Sequence, residues 1–183
     1  MLESLGRSLG LHLSRFRFRN NRDEVISFAG ITAGNHALLI LPLTPSAVSP
    51  APVIDLLLKH FPDNHITIVT DEHDSAVGAL LPRSEILRLG TANISRFFLP
   101  APDITRALKA RRYDVAIDLN LDFLLPSAYI CKASNARVRL GFARTGADAF
   151  FNFTMQPDST RRAAHLYTRF AAVVQMFTGS VRP

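Results

Sequence analysis

The sequence predicts an α/β domain built on one doubly wound parallel sheet, with a helical appendage at its N-terminus. Three observations carry that prediction. Residues 37–41 (ALLIL) form an unbroken apolar run of strand length, the pattern of a strand covered on both faces. Further apolar stretches follow at 65–70 (HITIVT), 113–119 (YDVAIDL) and 136–142 (ARVRLGF), with helical patterns between them. That alternation implies parallel strands joined by right-handed crossovers. Finally, 183 residues with 48% apolar and 20% charged composition suit one ordinary domain with a real core.

Each element has its own reason. In residues 1–22, Leu2, Leu5, Leu9, Leu13 and Phe16 recur at steps of three and four, one stripe of a helix. Gly6 and Gly10 weaken that helix by roughly 1 kcal/mol each relative to alanine. It therefore needs a surface to fold against: its own domain, another protein or an anionic membrane face. Residues 20–36 read as a connector, so the chain divides into an appendage over 1–36 and a sheet domain over 37–183. After the first strand, Ser49 can cap a helix with Pro50 in its first turn, and Val53, Ile54, Leu57, Leu58 and Phe61 give its buried face. Residues 72–81 read as a short helix stopped by Pro82. Residues 85–89 form a weaker strand and 95–99 suggest another. Asp103 follows Pro102 as the cap of a helix to about Arg112. Residues 123–133 are helical with Pro126 in the first turn, and 150–155 suggest an edge strand. Ser159 or Thr160 caps a last helix ending near Gly179. Its apolar stripe of Leu166, Phe170, Val173, Val174 and Phe177 is expected to be covered by the N-terminal helix or by an oligomer contact.

Composition narrows the function classes. No segment is long and apolar enough to span a bilayer, since the longest candidate, 37–43, is strand length. The N-terminus lacks the apolar run and cleavage site of a secretory signal. Cys131 is the one cysteine, so no internal disulfide forms and a reducing compartment, the cytoplasm, is expected. Net charge is +6, and 18 of the 21 basic residues are arginine. Five of them, Arg7, Arg15, Arg17, Arg19 and Arg22, fall in the first 22 residues. Such a balance attracts phosphates on lipid, nucleotide or nucleic acid. Zinc-finger cysteines, aromatic RNA-binding signatures and recognition-helix motifs are all missing, so nucleic acid is not the expected partner.

The chemistry-bearing residues cluster at strand ends, where α/β sheets bind ligands. The loop after the first strand offers the hydroxyls of Thr44, Ser46 and Ser49. It has no glycine, and Pro42 and Pro45 remove amide donors, so a phosphate cradle or dinucleotide site is not indicated. Those hydroxyls either bind sugar or phosphate oxygens or serve the turn and the helix cap. Asp118 ends the YDVAIDL strand, with Asn120 and Asp122 just beyond. It either acts as a base or sugar-hydroxyl acceptor, or it accepts bonds from loop amides while Asp122 caps the next helix. His165 near the start of the last helix has no visible carboxylate or cysteine partner. His60, His65 and His73 are scattered, and neither a metal nor a cofactor is predicted. Cys131, within AYICKA, reads as a packed thiol. Arg106, Lys109, Arg111 and Arg112 suit a helix C-terminus.

Several of these segments, in this order, resemble the N-terminal domain of the ADP-heptose:lipopolysaccharide heptosyltransferases, glycosyltransferases of the GT-B type with two Rossmann-like domains facing a cleft. The matching pieces are ALLILPL, PAPVIDLLLKHFPD, HITIVTD, ITRALKARRYDVAIDLN, NARVRLGF and AAHLYTRFAAVVQMF, over roughly residues 37–178. The piece RRYDVAIDLN is the most specific, and Arg139-Leu140-Gly141-Phe142 resembles the family's Arg-Ile-Gly-Phe. The resemblance implies a Rossmann-like half of a GT-B fold on the acceptor side. It also implies a role in bacterial lipopolysaccharide or envelope glycan synthesis, and a nucleotide sugar and a glycan or lipid acceptor as ligands. Thr44, Ser46, Asp118 and Asn120 would bind substrate, and Ser46, Asp118 and His165 are the catalytic candidates.

Two departures bear on activity. Where the family carries a Gly-Asp pair whose aspartate is taken as the base, this chain has Thr-Pro-Ser-Ala-Val, and Ser46 is the nearest equivalent. A neutral serine does not replace a carboxylate without an activating partner. The family's donor-binding second domain has no counterpart within these residues, and half a cleft supplies little positioning. The expectation is a chain inactive by itself, working with a separate donor-binding chain. One alternative is a non-catalytic binding or scaffold protein. It would assemble as a homo-oligomer, with a partner chain, or at the inner membrane through residues 1–22. Another is an unrelated small α/β enzyme or nucleotide-binding module.

Overall fold

The computed structural model describes residues 2–19, 36–44, 48–74, 77, 81–157 and 165–178. The elements are α1 (Leu2–Phe18), β1 (His36–Ile40), α2 (Ala51–His60), β2 (Ile66–Asp71), β3 (Glu85–Leu89), α3 (Pro102–Lys109), β4 (Tyr113–Asp118), α4 (Leu125–Ala133), β5 (Val138–Phe142), β6 (Phe153–Met155) and α5 (Leu166–Thr178). The six strands form one sheet in the order β3-β2-β1-β4-β5-β6, every pair parallel. This is the doubly wound, Rossmann-like α/β architecture that the alternating pattern implies.

Burial explains why the central strands read as continuous apolar runs. Along β1, Ala37 and Leu39 face one core while Leu38 and Ile40 face the other, and all four are buried. The first core is closed by α2 and α5, through Val53, Leu57 and Phe61 against Tyr167, Phe170 and Val174. The second is closed by α3 and α4, with Leu108, Tyr129, Ile130 and Cys131 at its centre. Among the described residues no helix is long and apolar enough to cross a membrane.

Several expectations are corrected. The segment 95–99 is a turn, not a strand. Ser95 N–H donates to the Leu99 carbonyl and Phe98 N–H to the Ser95 carbonyl, both at 2.8 Å, and Ile94 bridges Pro100 in antiparallel fashion. Asp103 does not cap α3: Ala101 holds that position and Pro102 starts the helix, where a missing N–H costs nothing. Asp122 does not cap α4 either, because Leu124 precedes its first turn. Ser49 does not cap α2 and Pro50 is not in its first turn: Pro50 itself holds the cap position, and the Ser49 hydroxyl accepts the Ala51 N–H at 3.3 Å from two residues before the helix. Asp71 through Asp74 form the strand end and a turn, so no helix begins at Glu72; the rest of that expected helix lies mostly outside the described residues. The 20–35 connector and the caps at Ser159 and Thr160 also lie outside the described residues.

The largest correction concerns α1. Its leucine stripe faces outward: Leu5, Leu9, Leu13 and Phe16 are 62%, 49%, 43% and 68% exposed. The face that meets the domain is the one with small residues. Gly10 and Ser14 are buried, the Ser14 hydroxyl donating to the Gly10 carbonyl at 2.8 Å. A Cβ on Gly6 would stand 2.7 Å from the Arg96 carbonyl oxygen, and one on Gly10 would overlap the Phe97 carbonyl oxygen. The helix therefore lies with its backbone against the backbone of the 95–99 turn. Phe18 anchors its far end, its ring 5.0 Å from Tyr129 and 6.4 Å from Phe150. α1 thus covers α4 on one face of the sheet, while α5 lies on the other. The N-terminal helix does not cover the stripe of the last helix; α2 and the sheet bury Phe170 and Val174 and partly cover Leu166 and Val173, and the Phe177 side chain lies outside the described residues.

Two predictions follow from this packing. Gly10→Ala should lower stability by about 1–3 kcal/mol through overpacking, although helix propensity alone would raise it by about 1 kcal/mol. Amide hydrogen exchange over residues 2–18 should accelerate in the variant, and slower exchange would contradict the docking. Cys131 is buried and burial pushes its thiol well above the usual range. It should resist alkylation in the native protein and react fully once urea unfolds it.

Candidate functional site

In a parallel sheet, the place where strand order reverses opens a crevice at the carboxyl ends of the strands. Here that place lies between β1 and β4, whose following chains leave in different directions. A cavity of about 330 Å³ lies beside it, over the carboxyl ends of β1, β2 and β3. Leu43 and Thr44 contribute from the end of β1, Asp71, Glu72 and His73 from β2, Leu89, Gly90 and Thr91 from β3, and Phe123 to Pro126 from the approach to α4. Arg7 of α1 and Phe98 complete the wall. A second hollow of about 480 Å³ shares Arg7, Phe123 and Leu125 and runs along α1 past Ser4, Ser8 and Thr145.

The polar groups of the crevice are held by local bonds. Asp71 Oδ1 accepts the His73 N–H at 2.9 Å, and Glu72 N–H donates to the Leu89 carbonyl at 3.0 Å. The Glu72 carboxylate lies over Gly90, where any Cβ would overlap it. His73 Nε2 lies 3.7 Å from Glu72 Oε1. Across the cavity, the Arg7 guanidinium stands 5.2 Å over the Phe98 ring. Phe98 has a backbone φ of 59°, a left-handed conformation that a bulky residue adopts only when its surroundings force it.

A buried polar clamp joins the crevice at Leu43. Asp118 Oδ1 accepts the Asn120 backbone N–H at 3.0 Å and its side-chain Nδ2 at 2.6 Å. Asn120 Oδ1 in turn accepts the Leu43 N–H at 2.8 Å, and its Nδ2 also reaches the Leu41 carbonyl at 3.4 Å. Asn120 therefore ties the chain leaving β1 to the chain leaving β4. Burial pushes the Asp118 carboxyl up from 3.8 to about 6, against bonds from Asn120 and Ser127 that favour its charged form.

The sequence-predicted residues separate accordingly. Thr44 lines the crevice. Asp118 and Asn120 come together, but bonded to each other and to the loops, in the arrangement where Asp118 accepts loop donors. Ser46 lies outside the described residues. His165 is exposed just before α5, and the neighbouring Tyr167 hydroxyl donates to the Leu119 carbonyl at 2.7 Å. His60, His65 and His73 stay apart: His60 Nδ1 bonds the Leu56 carbonyl, and the His65 ring stacks 4.8 Å from His36 at the opposite end of the strands. Among the described residues no group of three His, Cys, Asp or Glu side chains could hold a metal ion. The motif Arg139-Leu140-Gly141-Phe142 is structural: buried Arg139 donates Nε to the Phe150 carbonyl at 3.0 Å and Nη1 to the Ala136 carbonyl at 2.7 Å.

Sequence reading missed Asp71 and Glu72, Arg7 and Phe98. The two carboxylates had a usable signal, since they directly follow the HITIVT strand as Asp118 ends its own. Comparison with protein families, curated proteins and solved structures finds no match to this chain.

Chemically, the crevice pairs hydrogen-bond acceptors with apolar faces. Carboxylates at Asp71 and Glu72 accept from hydroxyls, the Thr44 and Thr91 hydroxyls both donate and accept, and Arg7 meets an anion. The phenyl rings of Phe98 and Phe123 offer flat apolar surface. Charge at Asp118 is a cost to the fold. Its raised pKa contributes stability that is full below about pH 3.8 and lost as pH rises past about 6. Above that range the ionised form costs about 3 kcal/mol, at 1.36 kcal/mol for each pKa unit. Asp118→Asn keeps the acceptor oxygen and removes the charge. Urea unfolding should show the variant gaining on the parent by up to about 3 kcal/mol between pH 4 and pH 8. A difference that is the same at every pH would contradict the buried-charge account.

Proposed function

We propose that this chain is the acceptor-side half of a heptosyltransferase-like glycosyltransferase, binding a hydroxyl-rich saccharide with an anionic group at the crevice above β1 and β2. The observation that carries this reading is the meeting of Asp71 and Glu72 with Phe98, Phe123 and Arg7 around one cavity. A sugar ring has hydroxyls along its edge and C–H bonds on its faces. Carboxylates suit the first, phenyl rings the second, and Arg7 suits a phosphate or carboxylate substituent. The parallel sheet order and the ordered sequence resemblance support the same assignment, and with it a place in envelope glycan synthesis.

Transfer itself needs a base at the acceptor hydroxyl and a bound donor. The loop after β1 offers hydroxyls where the resembled family has a carboxylate, and Asp118 is buried and engaged by Asn120. The isolated chain therefore binds and positions, and chemistry awaits a donor-binding chain. A second reading, a non-catalytic saccharide-binding protein, draws on that same engagement of Asp118.

Calorimetric titration with ADP-heptose and with phosphorylated inner-core oligosaccharide tests the proposal. Binding of the oligosaccharide to the chain alone is expected, and of ADP-heptose only with a donor-binding chain present, with Glu72→Gln and Arg7→Ala each weakening oligosaccharide binding about tenfold, the worth of one charge-assisted hydrogen bond. Sugar transfer should appear only when a donor-binding chain is added. Binding without transfer in any combination favours the second reading, and no binding of any saccharide overturns both.

A further inference from the structure

Packing α1 by its small-residue face, with Leu11 and Phe18 as anchors, leaves four other large apolar residues pointing away from the protein. Leu5, Leu9, Leu13 and Phe16 are all exposed, and among the described residues none joins either core. At 3.6 residues per turn they form one stripe. Arg19 and His12 flank it on one side, with Arg15 a step further round on that same side, and Arg17 flanks it on the other. All four flanking residues are exposed. The Arg19 guanidinium sits 4.7 Å from the Phe16 ring centre, a cation beside the apolar face. Glu3, in the first turn, is the helix's one acidic residue.

We infer that this outward face of α1 docks the protein onto an anionic lipid bilayer, lying in the plane of the interface. Three points favour a bilayer over a second copy or another protein. First, the stripe is small. From Leu5 to Phe16 it is roughly 17 Å long and about 10 Å wide, roughly 200 Å². A stable protein interface needs about 800 Å² on each partner. A bilayer asks for no matching shape, only an apolar face that sinks into the headgroup boundary. Second, pairing two copies along this stripe would bring arginine flanks together, with Glu3 alone to offset them. Third, arginines on both flanks are where headgroup phosphates would lie once the leucines are buried, and each basic residue near an anionic surface strengthens attachment. The docked inner face matters as well. Because Gly6, Gly10 and Ser14 fix the helix to the 95–99 turn and α4, the leucines are already aimed outward before any membrane is met.

The experiment is co-sedimentation of the full chain with vesicles of phosphatidylcholine containing phosphatidylglycerol, against vesicles of phosphatidylcholine alone. Binding to the anionic vesicles is expected, at least about tenfold tighter than to the neutral ones and weakened as salt shortens the screening length. The double variant Leu9→Gln/Leu13→Gln should lose about tenfold in vesicle affinity, since two apolar side chains no longer enter the interface. Its thermal melt should match the parent because both positions are exposed. Arg15→Gln/Arg17→Gln should shrink the preference for anionic vesicles while leaving the melt unchanged. Glu72→Gln, altered only in the crevice, should bind vesicles as the parent does, so failure of saccharide binding and failure of membrane docking are told apart. Absence of sedimentation with anionic vesicles overturns the inference. So does a dimer that the Leu9→Gln/Leu13→Gln variant dissociates while vesicle binding is missing, and so does vesicle binding that this variant leaves intact.

Discussion

The side chain of Asn120 spans the point where the strand order reverses, and the geometry of the crevice depends on it. β1 and β4 run side by side, yet the chain leaves them toward opposite faces. Two strand ends that part in this way would expose unpaired backbone groups in the middle of the sheet, which is costly when they are buried. Asn120 meets that demand with one amide. Its oxygen takes the Leu43 N–H and its nitrogen reaches both Leu41 and Asp118. A hydrophobic residue could fill the same space but not bridge the two chains. The carboxylate beneath is part of this arrangement. Asp118 accepts both Asn120 donors, so Asn120 has one orientation rather than two. A buried polar group satisfied on every side fixes a conformation, and a half-satisfied one would loosen it.

Much of the architecture was legible because it rests on local periodicity. An apolar run between turn signals identifies a strand covered on both faces, and β1, β2, β4 and β5 stand within a residue or two of where the sequence puts them. The errors have one physical source: they concern residues whose role is set by distant backbone. Asp103 and Asp122 have the right chemistry for caps, but proline-led first turns at Pro102 and Pro126 shift the helix starts and leave them inside or before the helix. The 95–99 segment has the apolar residues of a strand, but Ser95 closes it on itself. In the site, Thr44, Asp118 and Asn120 were visible as polar groups at strand ends. Arg7 and Phe98 were not, because one arrives from a helix far off in the chain and the other owes its direction to a left-handed backbone.

α1 shows most clearly how a periodic pattern misleads. A stripe of leucines conventionally marks the buried side of a helix, since burying apolar area is the largest favourable term. That rule assumes the helix axis sits at the usual distance from its neighbour. Glycine at positions 6 and 10 removes the side chains that enforce this distance, and the helix backbone can then rest on the Arg96 and Phe97 carbonyls. Close backbone approach recovers many weak contacts at once. Leu11 and Phe18 add apolar anchors on the same side. The glycines that weaken the isolated helix are thus what lets it bind.

The 95–99 turn makes the helix and the crevice a single mechanical unit. Holding Phe98 at a φ of 59° costs of order 1–3 kcal/mol, set against the paired bonds between Ser95, Phe98 and Leu99 and the bridge from Ile94 to Pro100. The strained backbone does two things. It turns the carbonyls of Arg96 and Phe97 outward as the seat for Gly6 and Gly10, and it turns the Phe98 ring inward as a wall of the cavity. Arg7, one residue along from Gly6, then lies over that same ring. The helix meets the protein through this seat and, further along, through Leu11 and Phe18. At the seat, helix and crevice share a wall, because Arg7 and Phe98 touch each other and both line the cavity. One residue, Phe98, therefore serves both the packing of the N-terminal helix and the apolar lining of the crevice.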